Sequence, residues 1–403
     1  FIASFYQAAD STIWVGSDGN GLNALIGNRN SFLNVKKSIP GSGDFSTRNI
    51  VSVTSDDEDN LWASTFTTGI FHYNIKTGQT KHYSTFNTVT GIENKVTSQL
   101  YRDKNGMLWA SALRQGNSFG ALYRYNRSTG SFDVFDADLS DLFVLKEDAE
   151  GNFWGGNLTQ LVKIDRQNRK HLYYNIGQPV RAILEDGQEH LYLGTEGGGL
   201  LFFDIRSGKI IARYTTGDGL CNNNVVSMIM DDNRNIWMGT NYGLSRFNTE
   251  ERKFKNYFQS DGLLSNQFSY GAAIRLGGGA CAFGGIKGIC VFYPESFNTP
   301  SKASRLLFTE FLVDGLPVDQ NPSIINKTEG NEIKSLRVPY KMAAFSLGFS
   351  ALEYSSPSSI SYAYFLEGWD KKWNYTKDMR HAIYTHLPEG HYFFRVKCTN
   401  VDG

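Results

Sequence analysis

Between Gly219 and Asn248 the chain alternates short apolar runs with polar turns, reading GLCNNNVVSMIMDDNRNIWMGTNYGLSRFN. Three asparagines, Asn222 to Asn224, precede a β-rich run from Val225 to Met230. An Asp/Asn turn follows, then an apolar run around Trp237, a Gly-bearing turn and a third run ending at Phe247. Such a pattern predicts three strands joined by tight turns. One meander of this size cannot bury a face by itself, so its recurrence decides the fold.

It recurs through the first three hundred residues. Trp occupies the second-strand slot at Trp14, Trp62, Trp109, Trp154 and Trp237, with Tyr192 in the fifth copy and Ala282 in the seventh. The intervals are 48, 47, 45, 38, 45 and 45 residues. A period in the forties with about four strands per unit predicts a β-propeller, here of seven blades. The copies open near Phe1, Asn49, Val96, Asp141, Val180, Val225 and Phe268.

After Pro300 the period stops. The runs LLFTEFLVDG, EIKSLRVPY, AAFSLGFSALEY, ISYAYFLEGW, AIYTHL and HYFFRVKCTN alternate, with Tyr362, Tyr364 and Leu366 on one face and Tyr392, Phe394 and Val396 on another. Half-buried antiparallel strands have this period of two. The fold class expected is all-β: a seven-bladed propeller over residues 1–300, then an immunoglobulin-like sandwich over 301–403. The last strand of the sandwich is expected beyond Gly403. The outer strand of blade seven is expected either from residues before Phe1 or from the run near Leu306.

Composition narrows the chemistry. Lys plus Arg and Asp plus Glu number 40 each, so no net charge favours nucleic acid or an anionic membrane. No apolar run reaches the roughly 18 residues that span a bilayer. No signal peptide opens the chain, which reads as a fragment or a processed ectodomain. Cys281 and Cys290 flank the hairpin CAFGGIKGIC, as two free thiols or as a cross-hairpin disulfide. The acidic cluster Asp56, Asp57, Glu58 and Asp59 lacks the glycine and distal glutamate of a calcium loop. Its slot recurs in most blades, which is the mark of a turn device. GTEGGG, at 194–199, has no helix after it and is read as a hairpin turn rather than a phosphate cradle. No His or Cys has metal-ligand spacing, no nucleophile elbow is present, and no cofactor is expected.

In a propeller the loops leading into each inner strand, and those joining strands two and three, share one face. Candidate ligand-binding residues on that face are Arg48, Asn94, Arg114, Glu196, Asn223, Tyr242 and Asn266, with Phe66, Asn117 and Asn241 among their neighbours. Amides donate and accept, and aromatic faces pack on sugar rings, so the set suits a polyhydroxylated ligand. Asn is also an ordinary turn residue, which is the competing account of the asparagines.

The run DGLCNNNVVSMIMDDNRNIWMGTNYGLSRFN resembles the two-component-regulator propeller repeat. FQSDGLLSNQFSYGAA and FGGIKGICVFYPESF resemble its closing blade. The region YAYFLEGWDKKWNYT to the C-terminus resembles the tyrosine-rich sandwich that follows such propellers, at Tyr362, Tyr364, Leu366, Gly368, Trp373, Leu387, Pro388, Gly390, Tyr392 and Asn400. The match is strongest in blades six and seven and weakest in blade four. The resemblance implies the periplasmic sensor of an inner-membrane hybrid two-component system from glycan-using bacteria. It further implies an oligosaccharide ligand, a homodimer, another propeller on the N-terminal side, and a membrane helix and histidine kinase downstream. The rival expectations are a carbohydrate-active propeller enzyme, lyase or glycosidase, and a non-catalytic interaction scaffold.

Overall fold

The computed structural model describes residues 1–26, 32–35, 38–39, 43–44, 48–56, 59–187, 189–297, 305–330, 332–342, 344–352, 360–377 and 379–399. The chain divides into two compact units, Phe1–Ser296 and Phe297–Gly403.

The first unit is a ring of seven antiparallel sheets. Blade one comprises Ile2–Gln7, Ile13–Ser17, Gly21–Leu25 and Phe32–Asn34. Blade two comprises Ile50–Ser55, Asn60–Thr65, Ile70–Asn74 and Thr80–Tyr83. Blade three runs Thr97–Arg102, Leu108–Ala112, Leu122–Asn126 and Ser131–Asp136. Blade four runs Val144–Glu147, Phe153–Gly156, Gln160–Ile164 and Leu172–Asn175. Blade five runs Val180–Asp186, His190–Thr195, Leu200–Asp204 and Lys209–Tyr214. Blade six runs Val225–Met230, Asn235–Thr240, Leu244–Asn248 and Lys253–Tyr257. Blade seven has three strands, Phe268–Arg275, Cys281–Gly285 and Gly288–Phe292. The inner strands neighbour one another in a closed cycle, and the seventh returns to the first.

The repeated aromatic acts between blades. Each sits in the second strand of one blade and meets an aromatic of the next. Trp14 lies 5.9 Å from Tyr73, Trp62 4.8 Å from Tyr125, and Trp109 5.2 Å from Phe153. Trp154 lies 6.4 Å from Phe203, Tyr192 6.3 Å from Phe247, and Trp237 4.6 Å from Phe292. These contacts sit inside buried clusters that each mix residues of two adjacent blades, so the core is a set of seams between sheets.

The recurring acidic turn holds the indole. Trp109 Nε1 donates to Asp103 Oδ2 at 2.9 Å, Trp154 Nε1 to Asp148 Oδ2 at 2.8 Å, and Trp237 Nε1 to Asp231 Oδ2 at 2.9 Å. The other oxygen of each Asp accepts backbone N–H groups of its own turn, such as Asn105 and Met107 at Asp103. A single carboxylate thus closes the turn and fixes the ring that wedges the next blade. Blades one and two lack this tie: the buried Nε1 atoms of Trp14 and Trp62 find no acceptor among the described residues. Asp57 and Glu58 of the acidic cluster lie outside the described residues, while Asp59 pairs with Lys76 at 2.9 Å.

In the second unit, Leu316–Pro317, Leu306–Val313, Ala344–Ala351 and His381–Thr385 form one sheet. Asn374–Thr376, Tyr362–Glu367 and Phe393–Cys398 form another. Phe349 stands 5.6 Å from Tyr362 and 5.8 Å from Tyr364 across the core. The tyrosine hydroxyls are placed too: Tyr384 donates to Asp370 at 2.7 Å, and Tyr362 accepts from Ala351 N at 3.1 Å. The EIKSL run joins neither sheet; Glu332–Leu336 pairs with Ile325–Glu329 as a separate hairpin. The run near Leu306 belongs to this unit and not to blade seven. Asn400 and the expected strand beyond Gly403 fall outside the described residues.

All four cysteines are free. Cys281 stands in register with Phe292 and Cys290 with Phe283, so the two thiols are offset by two residues across the hairpin. Burial pushes the Cys281 thiol up to about 11.

Replacing Trp154 by Phe removes a made hydrogen bond and leaves Asp148 Oδ2 with Asn152 Nδ2 alone, whereas Trp14→Phe removes a donor that has no acceptor among the described residues. Urea denaturation should therefore show Trp154→Phe costing about 1 kcal/mol or more beyond Trp14→Phe. Cys281 should resist iodoacetamide at pH 8 in the native protein and react once unfolded. Because its folded pKa is raised, the stability it contributes is complete below pH 9 and declines as pH rises towards about 11.

Candidate functional site

The face that carries the lead-in loops is built on backbone hydrogen bonds between blades. Gly21 N donates to Arg48 O at 3.0 Å, Gly69 N to Lys95 O at 3.0 Å, Gly199 N to Asn223 O at 2.9 Å, and Gly243 N to Asn266 O at 2.6 Å. In each case the turn between strands two and three of one blade grips the residue leading into the next blade. Thr195 and Thr240 close their turns by donating Oγ1 to Gly199 O and Gly243 O at 2.8 and 2.7 Å. Gly199 is required here: its φ is +77°, and a Cβ would stand 2.1 Å from Tyr214 O.

This framework explains most of the candidate polar residues. Asn223 Oδ1 accepts from Thr216 N at 2.9 Å, and Asn266 Oδ1 from Gln259 N at 2.6 Å, the same turn closure in successive blades. Their oxygens are committed to structure. Asn94 is fully buried, with Nδ2 donating to Phe119 O at 3.3 Å and Oδ1 accepting from the Tyr123 hydroxyl at 2.5 Å. It presents nothing to solvent in this arrangement, because its amide fills the space between a loop and a tyrosine. Arg114 binds Asp141 through its backbone N at 2.7 Å and its guanidinium at 3.3 Å, and lies 4.6 Å over the exposed Phe119 ring. Arg48 lies 5.7 Å over Phe71. Tyr242 is exposed, 5.7 Å from Phe258.

Glu196 leads to a constellation drawn from three blades. Its Oε2 accepts from Arg181 Nε at 2.8 Å and Nη2 at 2.6 Å, and its Oε1 accepts from the Tyr270 hydroxyl at 3.1 Å. The Arg181 guanidinium lies 3.8 Å from the Phe143 ring centre and 4.6 Å from that of Tyr270. Four residues from blades four, five and seven are thereby joined: Phe143 just before the inner strand of blade four, Arg181 and Glu196 from blade five, and Tyr270 on the inner strand of blade seven. Asn241 of blade six stands beside the Tyr270 hydroxyl, and Asn224 bridges to Glu196 through the backbone. Burial raises the Tyr270 pKa, reinforced by the Glu196 charge and partly offset by Arg181, so the hydroxyl stays protonated and donates.

Backbone irregularities place two of these residues, Arg181 and Tyr270. Five inner strands shift register between their first and third residues, at Ile2/Ser4, Ile50/Ser52, Thr97/Gln99, Val180/Ala182 and Val225/Ser227. The extra residue is Ala3, Val51, Ser98, Arg181 or Val226, and only blade five puts a charge there. In blade seven the irregularity widens to the stretch between Phe268 and Ala273, with Gly271 at φ +65°, and this stretch carries Tyr270. Sequence reading missed Arg181, Phe143 and Tyr270. Comparing the bulge position across the seven copies is the signal that exposes Arg181.

Two clefts open elsewhere, of about 600 Å³ beside Tyr83 and Phe132 and about 570 Å³ beside Arg166 and Lys170. Neither is lined by a candidate residue. Among the described residues no group of three or more His, Cys, Asp or Glu is placed to hold a metal, and no helix is long and apolar enough to cross a membrane.

Residues 219–242 match the family model described as Two component regulator propeller, and residues 353–403 match the Y_Y_Y domain. The chain carries a two-component-regulator propeller repeat and a Y_Y_Y domain. The Y_Y_Y match takes in the tyrosine-bearing strands of the second unit, and the propeller match covers the opening of blade six. The chain is 24% identical over 425 aligned positions to a protein named Histidine kinase P4 from Formosa agariphila, covering all of this chain and 30% of that protein. It also resembles the solved extracellular domain of a putative hybrid two-component system from B. thetaiotaomicron. That likeness has 20% identity and a TM-score of 0.58, over all of this chain and 55% of the other, and shows the fold.

The propeller's Glu196 and Arg181 act on Tyr270 with opposite sign. In Glu196→Gln the Tyr270 titration should move down towards that of free tyrosine, and in Arg181→Ala it should move up. NMR of protein labelled at the tyrosine Cζ carbons reads both shifts.

Proposed function

We propose that this chain is the extracytoplasmic ligand-sensing region of a hybrid two-component histidine kinase and that its ligand is an oligosaccharide. The observation that carries this reading is the Arg181–Glu196–Tyr270 constellation on the lead-in face of a two-component-regulator propeller. A guanidinium, a carboxylate, a hydroxyl and the nearby amide of Asn241 offer both donors and acceptors to sugar hydroxyls. Tyr270 and Tyr242, each about half exposed, offer ring faces for the apolar side of a pyranose. The name of the curated relative and the extracellular origin of the solved neighbour support a place outside the cytoplasm, in the periplasm. The membrane helix and the kinase would then lie downstream in a longer chain.

In this reading the protein works as a homodimer beside a further N-terminal propeller, and ligand shifts the dimer between two arrangements. It can do so only by its difference in affinity for the two, since equal affinity moves nothing. The consequence would be control of glycan-utilisation genes.

Isothermal titration of the protein against a panel of oligosaccharides tests the proposal. One glycan should release heat with this chain and lose about tenfold or more in affinity, roughly 1.4 kcal/mol, in Tyr270→Ala. No new product should appear on prolonged incubation. Turnover of the glycan would favour a carbohydrate-active enzyme instead. Binding that is indifferent to both Arg181→Ala and Tyr270→Ala would remove the constellation from the site.

A further inference from the structure

The passage from blade two to blade three is longer than a connection needs. Thirteen residues separate Tyr83 from Thr97, whereas four separate Asn175 from Val180. The surplus folds into a hairpin in which Phe86–Asn87 pairs with Ile92–Glu93. Asn87 closes its tip: the side-chain Oδ1 accepts from Val89 N at 3.0 Å and Thr90 N at 3.2 Å, and Gly91 takes φ +70°. Asn94 closes its base by donating its N–H to Thr85 O at 2.8 Å and accepting the Thr85 hydroxyl. The buried Asn94 amide is itself gripped by Phe119 O and the Tyr123 hydroxyl. A hairpin fixed at both ends holds Phe86 in one place.

The hairpin lies against the outer strand Ser131–Asp136 of blade three. Between it and the outer strands of blades two and three opens the cleft of about 600 Å³. That volume falls within the roughly 300–1,000 Å³ of small-molecule sites. Tyr83 and Phe132 are buried in its floor, while Phe86 on its rim is 48% exposed and offers a ring face. The hydroxyls of Ser84 and Thr88 line it and make no hydrogen bond among the described residues. Lys81 lies 4.6 Å over the Tyr83 ring and forms no ion pair among the described residues. Asp133 accepts from Ser131 at 2.9 Å and Asn126 at 2.8 Å, one bond to each oxygen, which leaves lone pairs over. His82 turns its Nε2 to Thr68 O. One ammonium and one carboxylate balance, so the cleft favours neither sign of charge. A free ring face among unspent donors and acceptors suits a neutral polyhydroxylated molecule. The other cleft offers less, because Arg166 spends its guanidinium on Asp103, Glu147 and Gly151 O.

We propose that this cleft is a second binding site, for a short neutral saccharide, on the outer rim of the propeller between blades two and three. The sugar stacks on Phe86, and its hydroxyls bond to Ser84, Thr88, Lys81 and Asp133. The site shares no residue with the Arg181–Glu196–Tyr270 constellation, which comes from blades four, five and seven, and does not depend on it. Asn94 takes the part of a positioning residue, acting on the sugar through the hairpin it anchors.

Hydrogen exchange and calorimetry test this with neutral trisaccharides of glucose, galactose, mannose and xylose. One of them should slow amide exchange in the segment from Ser84 to Glu93, in the unmutated chain and in Tyr270→Ala alike. Phe86→Ala should weaken that binding about tenfold, with the melting temperature unchanged because the ring packs no core, and Phe86→Tyr should restore it. Should Phe86→Ala fold poorly, the pair Ser84→Ala and Thr88→Val, which keeps the ring, should weaken binding too. Absence of protection with every trisaccharide overturns the proposal, as does affinity indifferent to both sets of variants. Protection of this segment that vanishes in Tyr270→Ala also overturns it and leaves the lead-in face as the place of binding. Protection that survives in Tyr270→Ala, with no calorimetric change from that substitution, upholds the rim site and counts against the lead-in face.

Discussion

The ring depends on an aromatic wedge that each blade drives into its neighbour. A lone four-stranded sheet of this size cannot bury both faces, so it gains its core only by lying against another sheet. Trp62, Trp109, Trp154 and Trp237 are almost wholly buried at those seams. The aspartate six residues before Trp109, Trp154 or Trp237 ties the wedge to the preceding turn, so packing between blades and chain reversal within a blade are one arrangement. Where the ring of a large side chain is displaced, two sheets lose contact together, and the expected cost of such truncations is about 3–5 kcal/mol.

On the face that carries the lead-in loops the same economy of parts appears in polar form. Residues leading into blades two, three, six and seven lend their carbonyls to the turn of the blade before, where glycine recurs. That service is structural, and it accounts for Asn223 and Asn266 without reference to any ligand. What the frame leaves over is more telling. Arg181, Glu196 and Tyr270 are not repeated from blade to blade, yet distorted starts of the inner strands of blades five and seven bring Arg181 and Tyr270 together at Glu196. Asymmetry in a symmetric scaffold is where specific chemistry has room to sit.

Much of this was legible beforehand, and the reason is periodicity. Seven copies of one short pattern average out the ambiguity of any single copy, so the second-strand slot and the Asp turns could be placed correctly from Trp14 to Ala282. The sandwich was legible through Tyr362, Tyr364 and Leu366, whose alternation matches a buried face. The Glu332–Leu336 strand was recognised, but its partner was not, because strand pairing depends on a short neighbour with no apolar alternation. The candidate site was harder still. Asn94 looks like an exposed amide in a polar loop, and only the fold reveals the Tyr123 hydroxyl beside it. Tyr270 and Arg181 come together across an interval of 89 positions, the sum of two repeats, through a bulge that leaves no mark on hydrophobic pattern.

The wedge has a direction, since each blade leans on the one that follows it. The seventh carries only the methyl group of Ala282 in that slot, and its link to the first includes the Gln7 amide oxygen. A circle assembled this way has one joint unlike the rest, where a small side chain and a polar contact stand in place of the aromatic pair.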